Sequence, residues 1–556
     1  MMDSDVCKAR SLGDPAMLKR MARFYRTAKH LRASQVVARA RLRAWRPAPQ
    51  LGPAPPLRSV RAAWTDAVAH PLSMLGPDEF CFLNERHRIA APGDWNHSEW
   101  PRLWLYNLHY FDDLNAESAL GRAAWHSAWL ERWIAENPPG VGSGWEPYPT
   151  SRRILNWIKS ALSGRPLSPL ALHSMAVQTR WLRGRIERHL GGNHLLANAV
   201  ALLCAGAFFE GEEAQEWLAS GQRLLSRELA EQILADGGHY ERSPMYHALV
   251  LEDLLDTHNV AQCFALHIPS AWRADAQRMQ QWLATLTHPD GDIAFFNDAT
   301  LGVAATPAQL NLYGARLFGS TLPPPQGSVL MRASGYARLV HGPAMLFADC
   351  GALGPDHLPG HAHADTLSFE LSLGPERVLV NSGVSVYTAG AERVRQRGTA
   401  AHNALVLADA DSSEVWHAFR VGRRARILEV QLEEAPEAHW LRAAHDGYRY
   451  LAGRNVHSRT WRLHADRVLI EDQVRGAPVA AVAHFHLHPQ LAWQRIDDAL
   501  VCVTASGRRL RWSFAGAKAI DAYESSWHPA FGRAVRAPAL RITAGGDSLV
   551  TTIAWD

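Results

Sequence analysis

Three ionisable side chains alternate in the segment GPDHLPGHAHADTLSFELSL, namely His361, His363 and Asp365. On a β-strand, residues spaced by two lie on the same face, so the three groups would converge there. Imidazole and carboxylate groups in one place can bind a divalent metal or transfer protons. The spacing therefore predicts a metal site or a proton-transfer site.

A second histidine alternation occurs in HFHLHP, where His484, His486 and His488 are spaced by two. It lies in an apolar run with no carboxylate beside it. This pattern favours a β-strand with one solvated face rather than a reactive site.

Two apolar segments in the first half of the chain begin with polar residues. GGNHLLANAVALLCAGAFF predicts a buried helix with Asn193 and His194 in its first turn, where free backbone N–H groups favour an anion. The alternative is that Asn193 caps the helix and His194 only packs.

DGGHYERSPMYHALVLEDLL predicts a second helix, capped by Ser243, with Tyr246 and His247 in its first turn. That position would lower the pKa of Tyr246 so that it acts as a base or proton donor; the alternative is a core tyrosine.

The elements that position these groups change character along the chain. At 556 residues, 47% hydrophobic and 20% charged, the chain is long enough for two or three folded domains. Residues 100–310 have apolar side chains at helical spacing, which indicates a helical toroid or solenoid. After TLPPPQG the pattern changes to short alternating runs that predict strands of an antiparallel β-sandwich.

Composition excludes several classes of protein. A net charge of +4 does not indicate a dedicated nucleic-acid binder, and six cysteines without a CxxC pair indicate neither a zinc knuckle nor a disulfide ladder. No apolar run is long enough for a transmembrane segment. The N-terminus is basic and has no signal-peptide core, which predicts cytoplasmic residence. This segment is predicted to form an amphipathic helix that either contacts a membrane surface or packs against the outside of the fold.

Seven stretches resemble, in order, sequence blocks of the heparinase II/III-type polysaccharide lyases. They are WPRLWLYNLHYFDDL, GWEPYPTSRRILNW, GGNHLLANA, DGGHYERSPMYH, HPDGDIAFFNDA, GPDHLPGHAHADTLSFEL and RGTAAHNALVLADADSSEVW. The resemblance implies an α+β multidomain fold, with an N-terminal (α/α) toroid over 91–320 and a C-terminal antiparallel β-sandwich over 321–556. A basic helical segment and linker, 1–90, would precede them. The resemblance also implies a periplasmic or secreted location.

The same resemblance implies β-elimination on an anionic polysaccharide, either a glycosaminoglycan (hyaluronan, chondroitin sulfate or heparan sulfate) or alginate. Asn193 would neutralise the uronate carboxylate, and His194 would help by acidifying the C5 proton. Tyr246 would be the base or acid at the scissile bond, and His361 would share the proton transfer. The residues expected to bind substrate by charge or stacking are Trp145, Glu146, Tyr148, Arg152, Arg153, His247, Tyr387, Arg393 and Arg397.

A structural divalent metal ion, zinc or manganese, is also implied. By position in the family motifs its ligands would be His363, Asn381 and His402, and the ion would fix the loop that carries His361. Asn381 stands where the family often has aspartate, and a neutral amide binds a divalent ion more weakly than a carboxylate does.

Two alternatives remain at this point. A glycoside hydrolase would use a pair of carboxylates, for which Glu146, Glu241 and Asp298 are candidates. A non-catalytic polysaccharide-binding protein would need only the stacking aromatic side chains. The combination of Asn, His and Tyr side chains favours proton abstraction beside a neutralised carboxylate. The sequence makes no prediction about the oligomeric state.

Overall fold

A computed structural model describes residues 15–45, 47–496 and 499–556 of the chain. Its α-helices are α1 (Pro15–Ala28), α2 (Ala33–Ala44), α3 (Arg102–Tyr110), α4 (Ala123–Glu136), α5 (Pro147–Leu162), α6 (Pro169–Gly184), α7 (Gly192–Phe208), α8 (Glu212–Gln232), α9 (Pro244–Cys263), α10 (Ser270–Thr285), α11 (Pro307–Phe318) and α12 (Ala391–Arg397).

The β-strands are β1 (Glu79–Phe82), β2 (Glu85–Arg88), β3 (Val329–Met331), β4 (Tyr336–His341), β5 (Ala344–Asp349), β6 (Phe369–Leu373), β7 (Glu376–Leu379), β8 (Leu405–Leu407), β9 (Val415–Trp416), β10 (Arg420–Val421), β11 (Ile427–Glu434), β12 (His439–His445), β13 (Val456–Leu463), β14 (Arg467–Arg475), β15 (Ala481–His486), β16 (Trp493–Ile496), β17 (Ala499–Val503), β18 (Arg509–Ala515), β19 (Ala517–Ala530), β20 (Arg533–Ala544) and β21 (Ser548–Trp555). Helices thus dominate the first half and strands the second, the order that the sequence predicts.

Tryptophan side chains build much of the helical core. Trp133 stacks on Trp145 with a centroid distance of 5.8 Å, and Trp145 meets Trp181 edge to face at 6.3 Å. The guanidinium of Arg153 lies 3.9 Å from the centroid of the Trp133 ring. These helices bury large rings because their apolar residues recur at three- and four-residue intervals, so that each helix presents one continuous face to its neighbours.

The second half contains three larger antiparallel sheets. Their strand orders are β11-β12-β13-β14-β21-β18-β17-β16, β19-β20-β15-β8 and β3-β4-β5-β6-β7. Aromatic side chains from different sheets meet in one core, where Phe369 contacts Trp461 and Phe485 at 6.0 and 6.3 Å, and Phe485 contacts Trp512 at 5.8 Å. The sheets therefore bury their apolar faces against one another, as in a β-sandwich. The last strand, β21, lies between β14 and β18 in the eight-stranded sheet.

A buried ion pair connects this sandwich to the loops above it. Asp472 on β14 lies opposite Arg459 on β13 and accepts hydrogen bonds from its Nε and Nη2 at 2.7 and 3.0 Å. Arg459 Nη1 also donates to the carbonyl oxygens of Leu367 and Asn403, at 2.8 and 2.6 Å. One cross-strand pair thus holds two loop segments against the sheet.

This pair predicts an acid-sensitive contribution to stability. Burial alone would raise the pKa of Asp472, but Arg459 and His457 lower it to about 2. Because the folded-state pKa is depressed, the stabilisation is present above the ordinary aspartate pKa of about 3.9 and is lost as the pH falls through about 2. We expect the free energy of unfolding to fall by about 2 kcal/mol more between about pH 5 and pH 2 in the wild type than in Asp472→Asn.

Urea denaturation at each pH measures this difference. Asp521→Asn, at an exposed position on β19, is the matched control and should keep the pH dependence of the wild type. An Asp472→Asn variant whose stability changed with pH as steeply as that of the wild type would contradict the assignment.

Candidate active site

Asp298 is the centre of a buried hydrogen-bond network between the two halves of the chain. Its carboxylate accepts hydrogen bonds from Arg393 Nη1 and Nη2 at 2.5 and 2.7 Å. It also accepts from His361 Nδ1 and His363 Nε2, both at 2.8 Å. Burial works against the charge, but Arg393 and the two histidines hold the pKa of Asp298 well below its usual value. The aspartate is therefore ionised and fixes the orientation of both imidazole rings.

His361, His363 and Asp365 converge in a different way from the one predicted. The segment forms a loop that precedes β6, not a strand with one common face. Its backbone is tied to other loops, since His363 N donates to Asn297 Oδ1 at 2.9 Å and Arg397 Nη2 donates to the Ala362 carbonyl at 2.8 Å. The shared contact with Asp298 therefore brings His361 and His363 together, whereas Asp365 Oδ2 accepts from Asn297 N at 3.1 Å.

Tyr246 lies against His361 at the start of α9. Ser243 caps this helix as predicted, with its Oγ accepting from Tyr246 N at 3.1 Å. The phenol ring stacks on the His361 ring with a centroid distance of 3.8 Å, and its hydroxyl lies 3.0 Å from the Tyr387 hydroxyl. Burial, together with Tyr387 and Asp298, raises the pKa of Tyr246 well above 10, so the predicted lowering at the helix start is wrong. Tyr246 is a neutral phenol and therefore a proton donor.

Asn193 is held at the start of α7 by a carboxylate. Its backbone N donates to Glu241 Oε1 at 2.8 Å, and its Nδ2 lies 3.2 and 3.1 Å from the two Glu241 oxygens. Gly192 makes this approach possible, because a Cβ there would lie 2.2 Å from Glu241 Oε1. The other amide atom, Asn193 Oδ1, is buried and has no hydrogen-bond partner among the described residues. Because Glu241 can only accept, the free amide atom is the oxygen, and it is available as an acceptor.

His194 is the exposed member of the same turn. Its Nδ1 lies 3.2 Å from Glu187 Oε1, its ring is 4.4 Å from the Tyr148 ring, and 31% of its side chain is exposed. Burial lowers the pKa of His194, but Glu187 and more distant carboxylates outweigh it and raise that pKa. The raised pKa thus favours the protonated form of this partly exposed imidazole, which lies beside Tyr148.

Two histidines face each other below His361 with no proton between them. His402 Nδ1 donates to the Gly398 carbonyl at 2.9 Å and His363 Nε2 donates to Asp298, so each ring has its lone pair on the other nitrogen. Those two nitrogens are 3.1 Å apart. Burial lowers the pKa of each ring to about 4, so both are neutral. The donor set therefore fits a metal cation, with outer partners that fix each tautomer.

Asp365 completes this group, since its carboxylate and the two imidazoles place ligand atoms within 4.8 Å of one another. Asn381, the third ligand implied by the resemblance, uses its amide elsewhere. Its Nδ2 donates to the Phe295 carbonyl at 2.9 Å, and its Oδ1 accepts from Asn403 N at 3.3 Å.

The pair His445 and His457 shows what an ordinary histidine contact looks like in this chain. Their nitrogens are also 3.1 Å apart, but His445 Nδ1 accepts from Gly447 N, so its Nε2 carries a proton that it donates to His457. Of these two pairs, only His363 and His402 have lone pairs that face each other.

The nine residues predicted to bind substrate separate into two groups. Trp145, Arg153, His247 and Arg397 are buried and form hydrogen bonds with other groups of the protein. Arg153, for example, donates to Gln178 Oε1 and to the carbonyls of His109 and Gly144. The others lie at or near the site, where Arg152 pairs with Asp253, Arg393 pairs with Asp298, Glu146 pairs with Arg102, and Tyr148 and Tyr387 contact His194 and Tyr246.

Sequence reasoning also missed or misread several residues. Glu187 was not identified, and Glu241 and Asp298 were considered only as carboxylates of a hydrolase. Asp298 is fully buried and cannot reach a sugar. Asp298 and Glu241 lie on opposite sides of the His361 imidazole, with Glu241 Oε2 at 3.5 Å from His361 Nε2. Asp298 lies in FFNDA and Glu241 lies in HYERSP, within two of the stretches that resemble family blocks. That position could have indicated that these carboxylates belong to the site.

The histidines of HFHLHP do not lie on a solvated face. His484 and His486 are buried on β15, and their Nδ1 atoms lie 3.2 Å from the hydroxyl oxygens of Tyr523 and Ser525 on β19. The reason is that β19 belongs to the same sheet, two strands away, and its side chains cover this face, which an apolar run alone does not reveal.

Comparison with known proteins agrees with this architecture. Residues 94–319 match the family model "Heparinase II/III N-terminus", and residues 323–556 match "Heparinase II/III-like, C-terminal". FtsZ-localized protein C of Caulobacter vibrioides is 26% identical over 436 residues, which cover 72% of each chain. A heparin-sulfate lyase of Bacteroides thetaiotaomicron is 28% identical over 197 residues, 31% of this chain and 28% of that one.

Solved structures share the fold at low sequence identity. The crystal structure of heparinase III has a TM-score of 0.68 at 19% identity and covers 84% of this chain and 80% of that one. Chondroitin AC lyase of Streptomyces coelicolor A3, in complex with chondroitin sulphate, has a TM-score of 0.51 at 11% identity and covers 99% and 80%.

Proposed function

Because the chain belongs to the heparinase II/III family of polysaccharide lyases, we propose that it cleaves a uronate-containing polysaccharide by β-elimination. The observation that carries the proposal is the contact between the Tyr246 phenol and the His361 imidazole, which is oriented by the ionised Asp298. A proton donor and a proton acceptor thus lie side by side between the two halves of the chain. The product would carry a double bond between C4 and C5 of its terminal uronate.

His361 is the base in this proposal. Its Nδ1–H donates to Asp298, so the lone pair lies on Nε2 and can take the proton from C5, and Glu241 Oε2, 3.5 Å from Nε2, would stabilise the resulting imidazolium. The electron pair of the C5–H bond forms the new double bond, and the bond between C4 and the glycosidic oxygen breaks.

Tyr246 protonates the departing glycosidic oxygen. Its raised pKa keeps the phenol neutral, and a neutral phenol can give its proton to a developing alkoxide. The stacked rings leave the phenolate next to the protonated His361, and return of the proton resets the pair for another turnover.

Neutralisation of the uronate carboxylate falls to His194 rather than to Asn193. The raised pKa of His194 favours its cationic form, and a cation beside the carboxylate acidifies the C5 proton. Asn193 Oδ1 can instead accept a hydrogen bond from a sugar hydroxyl, because its Nδ2 is committed to Glu241. Tyr148, 4.4 Å from His194, offers a ring for stacking on the same sugar.

The charge of the site favours a polymer with few sulfate groups. All four arginines expected to bind sulfate or carboxylate, Arg152, Arg153, Arg393 and Arg397, are buried and bonded to protein groups. A densely sulfated chain would need free guanidinium groups for bidentate contacts. Hyaluronan and alginate are therefore better candidates than heparan sulfate.

Ultraviolet absorbance of the conjugated double bond tests the activity directly. The full chain is incubated separately with hyaluronan, chondroitin sulfate, heparan sulfate and alginate, and reducing ends are measured in parallel. We expect absorbance and reducing ends to rise together. Reducing ends without absorbance would identify a hydrolase, and binding without either product would identify a polysaccharide-binding protein.

The opposed lone pairs support a further part of the proposal, a divalent metal held by His363, His402 and Asp365. Such an ion would supply positive charge that fixes the two imidazoles and, through the shared Asp298, the loop that carries His361. Neutral imidazoles with one carboxylate are typical of zinc.

We expect the purified protein to contain about one equivalent of zinc and His402→Ala to contain less than about a tenth of that amount. Elemental analysis measures the metal, and chelation should lower the midpoint of thermal unfolding of the wild type but not of the variant. His445→Ala, which disrupts the ordinary histidine pair, is the control and should retain the metal. Equal metal content in both variants would contradict the assignment of His402 as a metal ligand.

A further inference from the structure

The N-terminal segment that contains α1 and α2 begins with a helix that is amphipathic in the reverse of the usual sense. Arg23 is separated from Arg26 and Thr27 by three and four residues, and these side chains lie on the face of α1 that contacts the protein. Arg26 Nε and Nη2 bind Glu414 at 2.8 and 2.7 Å, and Trp416 Nε1 donates to Thr27 Oγ1 at 3.1 Å. The polar side of this helix is therefore bound, together with Phe24 at its edge, whose ring meets the Trp416 ring edge to face at 5.0 Å.

The apolar side of α1 faces solvent. Leu18, Met21 and Tyr25, at intervals of three and four residues, lie on the opposite face and are 53%, 55% and 71% exposed. On α2, Val36 and Val37 are 55% and 67% exposed. A surface helix usually buries its apolar stripe, so a continuous stripe turned outward indicates a surface that something else covers.

The charge around this stripe identifies the chemistry of the occupant. Residues 15–45 contain no aspartate or glutamate, and they contain nine basic side chains: Lys19, Arg20, Arg23, Arg26, Lys29, Arg32, Arg39, Arg41 and Arg43. Lys19, Arg20, Lys29 and Arg39 are exposed and form no ion pair with any residue in the described part of the chain. Exposed apolar side chains surrounded by basic side chains without counter-ions are complementary to a surface that is anionic outside and apolar inside.

We propose that the N-terminal segment that contains α1 and α2 docks the protein on the surface of a membrane that contains anionic lipid. Leu18, Met21 and Tyr25 enter the boundary between headgroups and acyl chains, while the flanking lysines and arginines bind lipid phosphates. The contact is peripheral, since no helix in the described ranges is long and apolar enough to cross a membrane. Glu414 and Trp416 keep α1 in place, so the stripe is presented without any rearrangement of the fold.

Co-sedimentation of the full chain with lipid vesicles tests this proposal. We expect binding to vesicles of phosphatidylcholine and phosphatidylglycerol, and at least about tenfold weaker binding to phosphatidylcholine alone. The triple variant Leu18→Asp, Met21→Asp and Tyr25→Asp should lose about tenfold or more of the binding, because it removes the inserted side chains. Lys19→Glu with Arg20→Glu should weaken binding and reduce its dependence on salt.

A matched control removes exposed leucines elsewhere. Leu120, Leu170 and Leu312 are 74%, 50% and 52% exposed, and their replacement by aspartate should leave vesicle binding unchanged. Light scattering of the wild type and the triple variant examines the alternative occupant, a second copy of the chain. The proposal is overturned if the wild type does not bind anionic vesicles, if the triple variant binds equally well, or if the stripe mediates a dimer that the triple variant abolishes.

Discussion

Replacement of Tyr246 by phenylalanine is expected to lower kcat for β-elimination by about 10²- to 10⁴-fold, because the variant lacks the proton donor for the leaving oxygen. KM should change little, since a phenylalanine ring can still stack on His361 at 3.8 Å. Initial rates of double-bond formation on the preferred polymer, measured over a range of substrate concentrations, separate the two parameters.

Tyr448→Phe is the matched control for this loss. Tyr448 is also buried, and its hydroxyl donates to the Leu405 carbonyl at 2.6 Å. Its variant loses one buried hydrogen bond but should keep kcat within about threefold, because no reacting group is removed. A Tyr246→Phe variant that was equally active would show that another group protonates the leaving oxygen.

Asp298→Asn is expected to lower both stability and activity by large amounts. The neutral amide leaves the Arg393 charge buried without its counter-ion, which costs about 3–5 kcal/mol of the free energy of unfolding. It also replaces one of the two accepting oxygens by an NH2 group, which can only donate, so the tautomer of His361 is no longer fixed and kcat should fall by about a hundredfold or more. Urea denaturation and single-substrate kinetics measure the two effects separately.

A second variant distinguishes positioning from simple loss of folding. Asp298→Asn combined with Arg393→Met removes both buried charges and should recover part of the stability without recovering kcat. Asp290→Asn, which breaks the pair between Arg377 and the partly exposed Asp290, should cost less of the free energy of unfolding than Asp298→Asn does. If the double variant regained activity together with stability, Asp298 would act only through the fold.

Local sequence patterns were sufficient for the order of the elements and for some of their boundaries. The pair Ser243–Pro244 predicted the start of α9, because a hydroxyl cap followed by proline satisfies the requirements of a first helical turn. The apolar run after Gly192 likewise predicted the buried helix α7. Such features depend on neighbouring residues, which the sequence shows directly.

Contacts between distant segments were beyond the reach of those patterns. Asp298 gathers Arg393, His361 and His363 from segments that lie 63 to 95 residues away. Arg153 and Trp145 have the residue types of a sugar-binding site, but the packing of neighbouring helices buries them. The pKa of Tyr246 followed burial rather than the helix dipole, and burial is a property of the assembled fold.

The position of β21 determines when the eight-stranded sheet can be completed during synthesis. Strands β14 and β18 pair with β21, not with each other, so the eight-stranded sheet stays in two pieces until the segment Ser548–Trp555 has left the ribosome. The helices encoded earlier can meanwhile fold through local contacts. The helices that carry Asn193 and Tyr246 are therefore synthesised well before the strand that joins the two pieces of this sheet.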